Sequence, residues 1–505
     1  MEKETLINTI NRASANFGDK VAFSDTDESY SFATAVSSAE SIATKLVTLG
    51  YFQQPVALYM PRCARIPLAM AGTLLSGNFY TVLDVDSPQE RIAKIVNALS
   101  CNLIICPEEY LEHCVSAFPT CTILSFENIC LTCPSKTLLA SVAEKIKPDD
   151  IAFTIFTSGS TGTPKGTIIT HKNVLSYVGW FVKRFDITSN DSFGSQTPFF
   201  FSMSVTDFFS AWVAGSSYHI IPKSYFAFPG RLISYLNDKK INIIYWVPTA
   251  CDIVAKFDLL YFEKPKFLTK VFFAGEAMPV KVLNYWRKNY PNAMYTNLFG
   301  PTETTDICSY YVVDREFGED EGLPIGLACE GANLFVIDEN GKQITAVGEV
   351  GELYVGGDFV AKGYINEPEK TAAAFVQSPL QNDKKEILYR TGDLVAFNDR
   401  GELLYLGRRD SQIKYMGYRI ELGEIENVMN AVDGIGRAVC LFDSKKEELI
   451  LLYEGESSKS ASIATSARTR LPAYMTPQRF VALDAFPVNA NGKIDRALLK
   501  KTYLS

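Results

Sequence analysis

Apolar residues recur along this chain in two alternating rhythms. Residues 32–49 carry them at the three- and four-residue spacing of a helix face, and 55–60 (PVALYM) follow as a short continuous apolar run. The pair then repeats: 66–76 reads as a helix, 78–82 (NFYTV) and 102–106 (NLIIC) as strands. Beyond 151–156 (IAFTIF), a buried strand, the alternation resumes. Segments 174–185 and 231–237 read as helices; 217–221, 241–247 and 270–274 read as strands. Unbroken apolar strands between helices predict a mostly parallel, helix-covered sheet and an α/β fold. From about residue 322 to 406 the chain turns Gly-rich, with short alternating segments at 333–337, 351–355 and 403–406, as in a small antiparallel sheet or barrel. The polar stretch 407–410 opens a final unit with a helix at 423–431, strands at 438–442 and 449–453, and a second helix ending near Leu471. Domains are therefore expected at 1–409 and 410–505.

Composition narrows the picture. With 505 residues, 47% hydrophobic and 21% charged, the chain reads as an ordinary globular protein of more than one domain. A net charge of −8 gives nucleic acid no electrostatic footprint. The polar start (MEKETLINTINRA) and the absence of a long apolar run predict no signal peptide, no membrane span and a cytoplasmic location. Eleven scattered cysteines imply reduced thiols. Cys101, Cys106, Cys114, Cys121, Cys130 and Cys133 cluster around His113, but Cys130-x-x-Cys133 has no second such pair, so they are expected to be small buried hydrophobes.

Chemistry concentrates in a few segments. The run at 157–166, TSGSTGTPKG, follows the 151–156 strand. Its glycines let backbone N–H groups approach an anion, Thr157, Ser158, Ser160 and Thr161 offer hydroxyls, and Lys165 adds positive charge. The expected guest is a nucleotide phosphate, although Gly166 after Lys165 excludes the P-loop NTPase pattern. At 297–305 (NLFGPTETT), Phe299 offers a flat face to a purine and Gly300–Pro301 force a turn. Thr302 supplies a hydroxyl and Glu303 a carboxylate able to hold Mg²⁺. Asp393, after a glycine turn in YRTGDL, can accept both hydroxyls of a ribose; Arg408 in GRRDSQIK suits ribose or phosphate. Lys493 sits in the turn NGKIDR near the end of the chain.

In this order these segments resemble the adenylate-forming ligase superfamily, above all the stand-alone amino-acid adenylation enzymes of peptide synthetases and the D-alanine–carrier-protein ligases. The likeness runs from Tyr30-Ser-Phe through Ser76-Gly-Asn-Phe-Tyr to Lys493, and includes GELYVGGDFVAKGY at 351–364 and GYRIELGEIE at 417–426. The resemblance implies two helix-covered sheets, a β-barrel-like subdomain and a mobile α+β lid. It implies that a carboxylate attacks the α-phosphate of Mg²⁺-bound ATP to give an acyl-adenylate, which a phosphopantetheine thiol then takes as a thioester. By position, Thr157, Ser158, Gly159, Ser160, Thr161, Gly162 and Lys165 would hold the outer phosphates. Phe299 would stack on adenine, with Asn297 nearby, and Gly275, Leu298 and Gly300 would also bind ATP. Thr302 would contact the α-phosphate and the acid, Glu303 the Mg²⁺, and Asp393 and Arg408 the ribose, with Tyr405 nearby. Lys493 would bridge carboxylate and phosphate in the first step, and Asp410 would be the hinge about which it swings. The acceptor is expected to be a separate carrier protein; coenzyme A, as in an acyl-CoA ligase, is the alternative.

The acid pocket departs from the family. FSMSVTDFF at 201–209 has Ser202 where amino-acid activators place an Asp for the substrate's α-ammonium. Asp306, at a position more often apolar, is the candidate replacement. The remaining wall would be Met203, Thr206, Tyr245, Phe272, Ala274, Leu298 and Ile307. The expected substrate is a small acid whose amine is displaced from the α position, or a cyclic or β-amino acid; a neutral acid with Asp306 turned elsewhere is the other possibility.

Overall fold

The computed structural model describes residues 4–159, 164–318, 321–380, 386–410, 412–487 and 494–504. By internal contacts the chain forms two compact units: 1–84, 99–155 and 166–409 make the first, and 85–98, 156–165 and 410–505 the second.

The first unit is built on two mostly parallel sheets, the pairing that the alternation predicts and the number that the resemblance implies. One runs Thr122–Ser125, Leu103–Cys106, Pro55–Tyr59, Phe79–Leu83, Ile151–Thr157, Lys165–Thr170. The other has Ser192–Ser195, Ile243–Trp246, Lys270–Phe273 and Met294–Phe299 in parallel register, continued by the antiparallel strands Ser309–Val312 and Leu327–Ala328. Helices cover them because their apolar faces demand it: Ile66–Leu75 is buried along its whole length, as a helix apolar all round must be. His171–Arg184 starts on a reciprocal cap, in which Thr170 Oγ1 accepts the Asn173 N–H and Asn173 Oδ1 accepts the Thr170 N–H. The Gly-rich stretch forms an antiparallel five-stranded sheet centred on Gly351–Gly357 and Ile387–Phe397.

The second unit carries the hairpin Gln412–Tyr415 and Tyr418–Glu421, and a three-stranded sheet of Ala438–Asp443, Glu448–Glu454 and Arg479–Leu483. Alternation along its strands feeds two cores. Cys440, Leu451 and Tyr453 pack with Ile425 and Met429; Leu441, Ile450 and Leu452 pack with Phe486 and Leu499.

One expectation needs correction. Only Cys101, Cys106 and Cys114 of the clustered cysteines are buried; Cys121 and Cys130 are half-buried and Cys133 is exposed, because they flank the sheet's edge strand Thr122–Ser125 and the short helix after it, which bury Phe126 and Ile129 instead. The strand Met294–Phe299 takes in the start of the 297–305 segment: Thr296 and Asn297 pair on both sides, Leu298 and Phe299 only with Ser309–Val312. Among the described residues no helix is long and apolar enough to cross a membrane.

Candidate active site

Strand Met294–Phe299 ends at Gly300, which must be glycine: a Cβ there would lie 2.3 Å from Asp306 O and 2.5 Å from Ile307 Cα. The chain therefore doubles back on itself, through the short helix Thr302–Thr304 and Thr305. Thr305 takes φ +69°, a strained value for a β-branched residue, and its hydroxyl is tied to Phe359 O at 2.7 Å. This turn sends Asp306 into the interior, where it is 2% exposed.

Three hydroxyls converge on Asp306 Oδ2: Thr206 Oγ1 at 2.5 Å, Tyr177 OH at 3.1 Å and Tyr245 OH at 3.1 Å. Burial pushes this carboxyl up to about 6, and the hydroxyl donors oppose the rise. Ser202 stands near the carboxylate, whose ionised form its hydroxyl helps to stabilise, and accepts from Thr302 Oγ1 at 3.3 Å. A polar path thus leads from Thr302 through Ser202 to Asp306. Among the apolar residues, Met203 caps the helix Ser204–Ala214, which carries Thr206. Ala274, Leu298 and Ile307 are buried. Phe272 lies directly across from Tyr245 in the sheet and packs its ring on Phe185 and Phe181.

At the other end of the turn, Phe299 faces Tyr405 with ring centroids 5.7 Å apart. Asn297 gives its side-chain N–H to Pro324 O at 2.8 Å. Gly275 follows the strand Lys270–Phe273 at φ +90°. Glu303 is fully buried and accepts from Tyr364 OH at 2.6 Å. Asp393 and Arg408 sit opposite each other on neighbouring strands and pair at 3.0 Å, with the guanidinium also held by Thr391 O at 2.8 Å. Glu352 braces their turn, binding Arg390 at 2.9 Å and Arg409 at 3.0 Å.

In the second unit, Thr157 Oγ1 is buried with no hydrogen-bond partner among the described residues. Ser158 donates to Arg419 O at 2.7 Å and accepts from Glu421 N–H at 3.1 Å; Gly159 is buried. Lys165 opens its strand and its charge acts on Glu421. Asp410 Oδ1 accepts the Gln412 N–H at 3.1 Å. Ser160, Thr161, Gly162 and Lys493 lie outside the described residues.

Sequence reasoning missed Tyr177, Tyr364 and Glu352. Tyr177 shares helical spacing with Val174, Val178 and Phe181, so it reads as a core aromatic. Only its hydroxyl, which needs a partner when buried, hinted at more.

Residues 10–365 match the AMP-binding enzyme family. The D-alanine–D-alanyl carrier protein ligase of Lacticaseibacillus casei (strain BL23) is 30% identical over 512 residues, covering 98% of each chain. Tyrocidine synthase 3 of Brevibacillus parabrevis is also 30% identical, but the match spans only 7% of its length. The structure of the Vibrio cholerae adenylation domain AlmE, solved with glycyl-adenosine-5'-phosphate, shares the fold at a TM-score of 0.83 and 22% identity, covering 98% of this chain and 97% of that one. The chain belongs to the AMP-binding enzyme family.

Proposed function

We propose that this ATP-using ligase, which makes an acyl-adenylate and passes the acyl group to a separate carrier protein, activates an amino acid whose amine lies beyond the α position. The observation that carries the substrate reading is the path from Thr302 to Ser202 to Asp306. Thr302 is the proposed contact for the reacting carboxylate. The serine hydroxyl next to it has no charge, and the carboxylate stands one side chain further on. An ammonium paired with Asp306 is thereby set back from the reacting end, as in a β-amino acid. An uncompensated ammonium at Ser202 would carry a heavy desolvation cost.

The remaining roles follow from the chemistry of each residue. Phe299 and Tyr405 flank the adenine, with Gly275, Asn297 and Leu298 shaping its seat. Asp393, oriented by Arg408, accepts the ribose hydroxyls. Thr157, Ser158 and Lys165 take the outer phosphates. Glu303 is a single buried carboxylate, and no group of three or more Asp, Glu, His or Cys side chains suited to a metal occurs among the described residues. One carboxylate completed by phosphate oxygens and water is the donor set that Mg²⁺ favours. Bound there, Mg²⁺ would neutralise phosphate charge. Asp410 serves as the hinge.

An Asp393→Asn variant is expected to weaken ATP binding about 10–100-fold, the loss of a hydrogen bond to a charged group, and to leave the KM for the acid unchanged. Steady-state KM values for the two substrates check this.

The saturation of Asp306 Oδ2 by three hydroxyls favours a second reading, in which the carboxylate only organises the pocket for a neutral acid and coenzyme A is the acceptor. Pyrophosphate exchange with α-amino, β-amino and amine-free acids separates the two, followed by loading assays on a phosphopantetheinylated carrier and on coenzyme A. Exchange that requires a displaced amine, and loading of the carrier alone, is the expected result. Exchange with amine-free acids as good as with their amino counterparts would overturn it.

A further inference from the structure

We infer that Tyr364 is a positioning residue for Glu303, its phenol setting how tightly the metal ion of the nucleotide is held. This rests on the metal role proposed for Glu303 above. The phenol donates to Glu303 Oε1 at 2.6 Å, and both side chains are buried. Tyr364 is fixed in turn. Its backbone N–H donates to Thr371 Oγ1 at 2.9 Å, and its ring meets Phe375 edge-on with centroids 5.5 Å apart. Gly363 makes the approach possible: it adopts φ +130°, and a Cβ there would sit 2.5 Å from Thr371 Cγ2.

The same short segment grips its surroundings through the backbone. Ala361 N–H donates to Glu303 O at 2.8 Å. Ile168 N–H donates to Gly363 O at 2.9 Å, and Ile365 N–H to Gly166 O at 2.8 Å, which laces the segment to the strand Lys165–Thr170. Segment 361–365 therefore sets both the main chain and the carboxylate of Glu303. Mg²⁺ demands near-ideal octahedral geometry, so a carboxylate that turns freely binds it poorly. Outer partners of metal ligands are worth about 10–100-fold in metal affinity or activity.

Tyr364→Phe keeps the ring and removes the donor. The expected result is an apparent Mg²⁺ affinity in pyrophosphate exchange lowered about 10–100-fold, with the KM for the acid unchanged. Calorimetry on the same protein supplies a readout apart from turnover: the gain in ATP affinity on adding Mg²⁺ shrinks by a similar factor. Thr371→Val, which loosens the phenol's backbone anchor, is expected to give a smaller shift in the same direction and serves if Tyr364→Phe does not fold. Wild-type Mg²⁺ dependence in the folded variant, even with a lowered melting temperature, would overturn the inference. Glu303→Gln separates the two levels. If glutamine shifts the Mg²⁺ dependence and phenylalanine does not, only the role of Tyr364 fails. If neither does, the metal role of Glu303 fails with it.

Discussion

Replacing Asp306 by asparagine is expected to lower kcat/KM for an amine-bearing acid by about 10²–10³, because removing one partner of a buried ion pair costs about 3–5 kcal/mol. The pH profile carries the same signature. Burial holds the free carboxyl at about 6. Only its ionised form attracts an ammonium, so kcat/KM should fall about tenfold per pH unit below that value. The asparagine variant should lose this inflection. Its charged and titratable neighbours do not mimic it: Tyr177, Tyr245 and Cys329 are pushed far up by burial and stay neutral, and Asp207 is pushed up to about 8.

Stability moves the other way. The folded carboxyl binds its proton more tightly than the unfolded one, so Asp306 costs stability as pH rises from about 4 to 6, and the full cost persists above that window. A shift from 3.8 to about 6 corresponds to roughly 3 kcal/mol at most. Asparagine escapes this penalty, so the variant should melt at or above the wild-type temperature at pH 7.5. Lost activity with retained or increased stability, read by calorimetric melting, distinguishes a substrate contact from a folding defect.

Lys493→Ala is expected to slow adenylation by about 10²–10³, the usual loss on removing one fixed donor from developing negative charge. Charge builds where the acid's carboxylate meets the α-phosphate, and an ammonium there costs no reorganisation at the moment of reaction. The second half-reaction should be spared. Supplied with preformed acyl-adenylate, the variant should load the carrier at the wild-type rate. Equal loss in both steps would make Lys493 a structural residue.

The sheets were legible because burial writes continuous apolar runs into the sequence. Helix 66–76 and strands 55–60 and 270–274 are found within a residue or two of where they were expected. The chemical turn was legible as residue types but not as geometry. Nothing in GPTETTD announces that Thr305 turns left-handed and drives Asp306 inward, since that depends on Phe359, more than fifty positions away. Tyr364 and Glu352 stayed hidden for the same reason. Their partners, Glu303 for the first and Arg390 and Arg409 for the second, are joined to them only by the fold.

The central claim is that Asp306 recognises an amine. It is tested most directly by a double-mutant cycle in pyrophosphate exchange: wild type and Asp306→Asn, each with a β-amino acid and with the same acid lacking the amine. The account predicts a coupling of about 3–4 kcal/mol, with asparagine penalising the amino acid alone. An equal effect on both acids would contradict it.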